Sequence, residues 1–493
     1  MYFTTFLVVL YKKIERIESV FENIKILFLY PSPSCDIMQR LGGNYDMKIK
    51  TMTEGNISKQ ILWFTLPLFV GNIFQQLYNT VDSIVVGKFV GKEALAAVGA
   101  SSVLVSVLVG FFMGLATGAS ISISQYFGSG DHKKLSEGIH TAIYLTIILG
   151  IGLTLAGLFF SPLLLTMMNT PSEVMGPAVL YLRLYFIGLI GMMIYNMGAG
   201  ILRALGDSRQ PFYFLVFCSV VNIIFDLVFV INFRMGVAGV AIATLLAQGM
   251  SAVLVIRALK RLDSSYTLRR ENLKITPSVV RNMIRVGLPA GFQSVMTSMS
   301  DVLVQSYINP FGTASMAGWS VFLKIDTFML LPLKSLSLAI TTFVGQNLGA
   351  GKVDRVKKGT SFALRLSVGI SAILSFIIYT FGYETLSIFT SDQAVIEQGL
   401  IFLKVFIPFY FIVAFNQIYG GAIRGSGDAF VQMIFMIFCY VILRQIILLI
   451  GFPYYPTLKF IAICYPILWA VCATLMSIYY HKGYWLKRFE KNK

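Results

Sequence analysis

The sequence predicts an all-α polytopic membrane protein, with twelve transmembrane helices in two pseudo-symmetric six-helix lobes, and three observations carry that prediction. Of the 493 residues, 56% are hydrophobic and 13% charged, with a mean hydropathy of +0.74. That balance belongs to a bilayer rather than to a soluble core. Apolar stretches long enough to cross a hydrocarbon layer of ~30 Å recur along the chain, and basic residues crowd every second gap between them. The second half also repeats the first. Gln125–Gly130 (QYFGSG) matches Gln346–Gly351 (QNLGAG), Arg203–Asp207 (RALGD) matches Arg424–Asp428 (RGSGD), and Arg183 matches Lys404, each 221 residues on. Six helices per half keep both halves in one orientation, so the repeat runs parallel, about an axis along the membrane normal.

Residues 1–51 form an N-terminal extension. Its apolar start, MYFTTFLVVL, is too short to span, and charged residues follow at once without a cleavage-site pattern. Leu41-Gly42-Gly43 is encodable by a ribosome-binding sequence, so translation is expected to begin at Met47 or Met52.

The first helix, about 58–86, carries Asn72, Gln75, Asn79 and Asp82 on one face, at steps of three, four and three. A carboxylate inside a membrane helix costs at least ~2.5–3.5 kcal/mol and normally faces a bundle interior or a watery cavity. Pro67 lacks a backbone N–H and marks a kink. A kinked helix with such a stripe reads as part of an ion or solute pathway, against the plainer reading of polar glue between helices. The remaining helices of the first lobe fall at about 94–126, 132–160, 172–203, 208–233 and 237–262. After a polar connection at 263–276 come about 277–308, 313–347, 353–382, 393–423, 427–452 and 457–481, and a basic tail at 482–493. The lobes are therefore 52–262 and 277–481.

Lys133, Lys134, Arg209, Arg257, Lys260, Arg261, Arg269, Arg270, Lys352, Arg355, Arg424 and the tail lie in or beside one set of connections, whereas the opposite loops hold only Lys88, Lys92, Arg234 and Lys459. Both termini and the 263–276 connection are thus expected in the cytoplasm. The net charge of +17 is spent on this asymmetry and does not call for nucleic acid. Five cysteines, Cys35, Cys218, Cys439, Cys464 and Cys472, lack metal-ligand spacing. With three histidines and no phosphate-binding glycine loop, the sequence offers no cofactor site and no enzyme chemistry.

LPLFVGNIFQQLYNTVDSIVVGKFVG, RALGDSRQPF and VGQNLGAGKVDRVKKG resemble the multidrug and toxic compound extrusion (MATE) family, and are closer to its DinF-type branch than to the NorM type. The resemblance runs from about Met52 to Tyr480. It implies two six-helix lobes around a V-shaped central cleft, and antiport of organic cations against H⁺ or Na⁺ at a multi-pass bacterial inner membrane. It also implies a coupling site in the N-lobe formed by Asp82, Asn222, Asp226, Thr244, Tyr181 and Asn196, with Na⁺ open as its ion. Asn222 and Asp226, four apart, share one helical face, and two acids held together out of water titrate as a pair. Helix–helix hydrogen bonding is the alternative for Asn222, Thr244 and Asn196.

The C-lobe departs from the NorM pattern, with Thr297 near the place of that branch's seventh-helix glutamate and Val413 near its tenth-helix aspartate. Ser294, Ser298, Asp301 and Gln305 make a second stripe, and Asp301 is a candidate repeat partner of Asp82. Gln75, Asn79, Ser298, Asp301, Gln305 and Asn416 are the candidate substrate-cavity residues. Arg444, near a helix end, is expected to snorkel to the interface. Asp207 and Asp428 are expected to cap the helices that follow them. The leading reading is a monomeric multidrug antiporter for lipophilic cations, and the alternative is a flippase for a lipid-linked sugar. A phosphate-bearing lipid would want a basic cleft, for which the sequence offers only Arg183, Lys324, Lys334 and Lys404. A scaffold or receptor is a third reading, against which the membrane acids argue.

Overall fold

The computed structural model describes residues 51–85, 90, 92–167 and 170–492, except the side chains of 82–84, 92–104, 106, 107, 491 and 492. All of these lie in one compact unit, Ile49–Lys493. The N-terminal extension up to residue 50 and the side chain of Asp82 are therefore outside the described residues.

The first lobe is six helices: α1 Ile57–Val85, α2 Lys92–Ser129, α3 His132–Met167, α4 Ser172–Ala204, α5 Arg209–Leu227 and α6 Gly236–Leu259. A π-helical turn, Val228–Asn232, extends α5. The second lobe opens with α7 Pro277–Ile308, α8 Thr313–Gly349, α9 Val353–Thr380 and the short α10 Gly382–Ser387. Its tenth membrane segment breaks at Pro408 into α11 Gln393–Phe406 and α12 Tyr410–Gly425, joined by a 3₁₀ turn. The eleventh is α13 Ala429–Ile437 and α14 Arg444–Gly451 around a π-helical turn, Phe438–Leu443. The twelfth is α15 Leu458–His481, followed by α16 Tyr484–Asn492.

Eleven of the described helical segments are long and apolar enough to cross a membrane. The twelfth is α7, which has 32 residues but carries the polar stripe and two arginines, Arg281 and Arg285. Apolar side chains such as Phe159, Phe376 and Leu449 point outward, as a lipid-facing surface requires. Each lobe has its own core. Phe112, Ile139, Leu182, Met193 and Leu202 belong to one, and Trp319, Phe322, Phe402, Phe406 and Trp469 to the other.

The repeat is visible in the backbone. Gly130 and Gly351, just past the ends of α2 and α8, both have φ +71°, a left-handed turn that glycine takes without steric cost. The turns after α4 and α12 diverge. Asp207 accepts from the backbone N–H of Arg209 and Gln210, at 2.9 and 3.1 Å, as a cap should. Asp428 makes no such bond to α13, correcting that expectation. Its oxygens take the Tyr479 hydroxyl and Arg488 of α16, the latter at 3.5 Å. The tail is thus a docked helix, with Trp485 buried and donating to the Tyr480 carbonyl at 2.9 Å.

Candidate functional site: the gap between the lobes

The lobes meet where α2 crosses α7 and α8, and where α1 lies along α8. Small residues permit the crossing. A Cβ on Gly114 would overlap the backbone of Gly291, one on Gly118 the backbone of Gly287, and one on Gly349 the carbonyl of Gln125. Its counterpart Gly128 meets the Gln346 carbonyl in the same way. Two glutamines tie this end. Gln125 donates to the Gly425 carbonyl at 3.1 Å, and Gln346 donates to the Ala204 carbonyl at 2.7 Å. Gln346 also accepts from the Met52 N–H at 2.8 Å. Lys352 and Arg355 then hold the carbonyls of Thr53, Met52 and Gly55, so the segment leading into α1 is strapped to the other lobe.

From this crossing the two polar stripes run outward. Asn72 donates to Ser335 of α8 at 3.0 Å, and Ser294 of α7 abuts Gly110 of α2. Beyond those contacts Gln75 and Asn79 on α1, and Ser298 and Asp301 on α7, are exposed, while Gln305 is half-buried. Steps of three and four place 287, 291, 294, 298, 301 and 305 on one face of α7. Its inner end is covered by α2 and its outer end is not. Five of the six predicted cavity residues are therefore at least partly accessible on these two faces. Asn416 is not: it is 5% exposed and donates to the Trp469 carbonyl at 3.2 Å and the Tyr440 hydroxyl at 3.3 Å, inside the C-lobe. Its short amide reaches neighbouring helices before it can reach the gap.

Of the predicted coupling residues, Asp226 is 0% and Asn222 3% exposed, one turn apart on α5 and just before its π-helical turn. Neither polar atom of the Asn222 amide has a partner among the described residues, and leaving such a group unmet costs ~1–3 kcal/mol. Tyr181 packs on the cluster of Val85, Val230, Val237 and Val240 that covers this end of α5. Thr244 lines a crevice between α4 and α6 with Tyr185 and Gln248. Asn196 donates to the Met192 carbonyl of its own helix at 2.9 Å. Asn222 and Asp226 thus share a buried face, while Asn196 and Thr244 are spent on, or set against, α4. No group of three or more His, Cys, Asp or Glu side chains able to hold a metal occurs among the described residues. The donors at Asp226 and Asn222 are oxygens and an amide, which suit a proton or a hard monovalent cation.

The C-lobe contains a cluster that the sequence hid. Arg444 is 1% exposed and does not snorkel, correcting the expectation for it. Its Nη1 pairs with Asp301 Oδ1 at 2.8 Å and reaches the Tyr465 hydroxyl at 3.3 Å, and its Nε donates to Ser300 Oγ at 3.1 Å. The guanidinium also lies 5.4 Å from the centre of the Tyr465 ring. Nearby, Tyr410 donates to Asp326 Oδ1 at 2.5 Å, and Asp301 and Lys334 lie within electrostatic reach of Asp326. Thr297 is bonded back to its own helix, at Gln293 and Ser294.

The MatE family profile matches residues 67–228 and 289–450, so both halves match separately, 222 residues apart. The chain is 28% identical over 407 residues to the probable multidrug resistance protein YpnP of Bacillus subtilis, covering 81% of this chain and 89% of that one. It is 26% identical over 383 residues to the probable multidrug resistance protein NorM of Thermotoga maritima, covering 77% and 82%. Its fold matches an outward-facing multidrug resistance MATE family transporter of the MOP superfamily, with a TM-score of 0.82 at 24% identity, over 91% of this chain and 99% of that one. Twelve membrane segments in two repeated lobes and a profile that matches each half place the chain in the MatE family.

Proposed function

We propose that the protein is a secondary antiporter that expels lipophilic, mostly cationic compounds from the cytoplasm in exchange for H⁺ or Na⁺, by alternating access of its two lobes. The observation that carries this reading is Asp226, a carboxyl with no exposure in a membrane helix, one turn from an unpartnered Asn222. Such a group is costly unless its charge is used. Asp82, on α1, is assigned to the same coupling site with Tyr181, Asn196 and Thr244, on the DinF-type pattern. The stripes of Gln75, Asn79, Ser298, Asp301 and Gln305 supply the cargo surface. They contain an acid and no base, which favours cations over the phosphate of a lipid-linked sugar. The end tied by Gln125 and Gln346 is assigned to the cytoplasm, because the Lys- and Arg-rich connections lie there.

The cycle follows from linkage. Protonation or Na⁺ binding at Asp82 and Asp226 favours the N-lobe arrangement that releases cargo outside, and loss of the ion inside restores cargo binding. Each ligand must then weaken the other by the same factor. The test is efflux of a fluorescent cation from proteoliposomes under imposed pH or Na⁺ gradients, applied in turn. Efflux driven by neither gradient overturns the proposal, and efflux driven by one names the ion.

A further inference from the structure

The geometry points to a selective docking point for cargo in the C-lobe: Asp301, held by Arg444, accepts a hydrogen bond from the N–H of a protonated amine or amidine. This rests on the antiporter reading above and specifies the class of cation for its gap.

Three observations converge on it. The Asp301 side chain is 67% exposed, whereas its partner Arg444 is 1% exposed, so the carboxylate is the open half of the pair. Only Oδ1 is engaged, and Oδ2 has no partner among the described residues. A carboxylate has about four acceptor directions, and one guanidinium N–H leaves most of them vacant. The third observation is the face that Asp301 shares. Asp301 continues the α7 face that, at Gly287, Gly291 and Ser294, is pressed against α2 of the other lobe.

Arg444 acts here as a positioning residue. Its Nη1 fixes Oδ1, its Nε is anchored on Ser300, and Gln445 reaches the same hydroxyl at 3.1 Å. The guanidinium does not itself reach the gap. It presents a carboxylate with a set orientation, the arrangement that rewards a directional donor over a diffuse charge. Asp326 and Lys334 lie within electrostatic reach of the cluster, and with Asp301 and Arg444 they make two acids and two bases. The cluster as a whole carries no net formal charge, so its field gives a cation little general attraction. Discrimination comes from the hydrogen bond, which a quaternary ammonium or a phosphonium cannot form.

The experiment compares two probes on purified full-length protein. One is the diamidine dye DAPI, rich in N–H donors, and the other is tetraphenylphosphonium, a cation with none. Asp301→Asn keeps an acceptor for Arg444 but loses the charge-assisted bond to cargo. It should weaken DAPI about 10-fold, the scale of one such bond, and change tetraphenylphosphonium by less than about 2-fold. Arg444→Lys, which keeps the charge and loses the orientation, should weaken DAPI selectively in the same sense. Equal weakening of both probes, or of neither, overturns the inference. Should the variants fail to fold, the wild type is decisive: benzylammonium should displace DAPI far better than benzyltrimethylammonium, and equal potency overturns the inference. If the wild type binds neither probe, the antiporter reading fails with it. If it binds both without discrimination, only the present inference fails.

Discussion

Arg444 in the eleventh membrane segment and Asn222 in the fifth, the segments that follow the two RxxGD turns, are both buried, at 1% and 3% exposure. One of these two segments thus holds an arginine with an acid partner on α7, and the other an amide one turn from an acid on its own helix. The lobes share a backbone plan and differ in where the ionisable groups were put. That separation leads to the expected effects below.

Asp226→Asn should abolish gradient-driven efflux while the protein still inserts and folds, because the amide matches the carboxyl in size. Asp301→Asn should retain efflux of tetraphenylphosphonium in the same vesicles. Equal loss of phosphonium efflux in both variants would place coupling in the gap rather than in the N-lobe.

Cargo affinity should depend on pH if protons are the coupling ion. In the absence of Na⁺, wild-type affinity for tetraphenylphosphonium is expected to rise between about pH 5 and 8, as the N-lobe acids lose their protons. Asp82→Asn mimics a protonated acid and should stay weak and comparatively flat over that range. A flat wild-type curve with strong Na⁺ dependence would assign coupling to Na⁺.

The end tied by glutamines should loosen when both are removed. Each hydrogen bond contributes ~0.5–1.5 kcal/mol, and Gln125→Ala with Gln346→Ala removes three of them, so the opening equilibrium at that end should shift by about 10- to 2,000-fold. A cysteine at Leu338, in the interlobe crevice beside Arg203, reports this as faster maleimide labelling. The native Cys218, Cys439, Cys464 and Cys472 are buried, and Cys35, outside the described residues, is replaced by serine beforehand. Unchanged labelling would show that glycine packing alone holds the crossing.

Topology is checked by a cysteine placed in the 263–276 connection. An impermeant reagent should label it in inverted vesicles and not in intact cells. The opposite pattern would reverse the assignment of the glutamine-tied end.

The helices were legible because each needs a long apolar run, and the positions inferred from such runs agree with α1–α9 and α15 to within a few residues at most ends, the C-terminal ends of α3 and α5 excepted. The π-helical turn at Phe438–Leu443 was not legible, since one extra residue per turn leaves an apolar run looking like any helix. The break at Pro408 between α11 and α12 was not read either, since a proline within a long apolar segment is equally compatible with a kinked continuous helix. Helix α16 was missed because a basic tail resembles a solvated one, although Trp485, Leu486 and Phe489 at helical spacing gave a cue. Arg444 was misread for a different reason. Its partner Asp301 lies 143 residues away, and a lone arginine near a helix end looks the same in sequence whether it reaches the interface or an acid. A stripe can be read as a face from spacing alone, because a face is local. The partner of a face is not.

The paired clearances at Gly128 and Gly349 have the form of an isologous contact, in which each half offers the other the same patch. In a dimer of identical halves, any substitution there would strike twice and could only part the halves symmetrically. Continuity of the chain lifts that restriction. A methyl added at position 349 presses on Gln125 and Ser129 and leaves the Gly128 contact with Gln346 intact, so the lobes would lean about the untouched contact instead of separating. The joint can therefore be adjusted one side at a time, a freedom that a true homodimer of the same shape does not have.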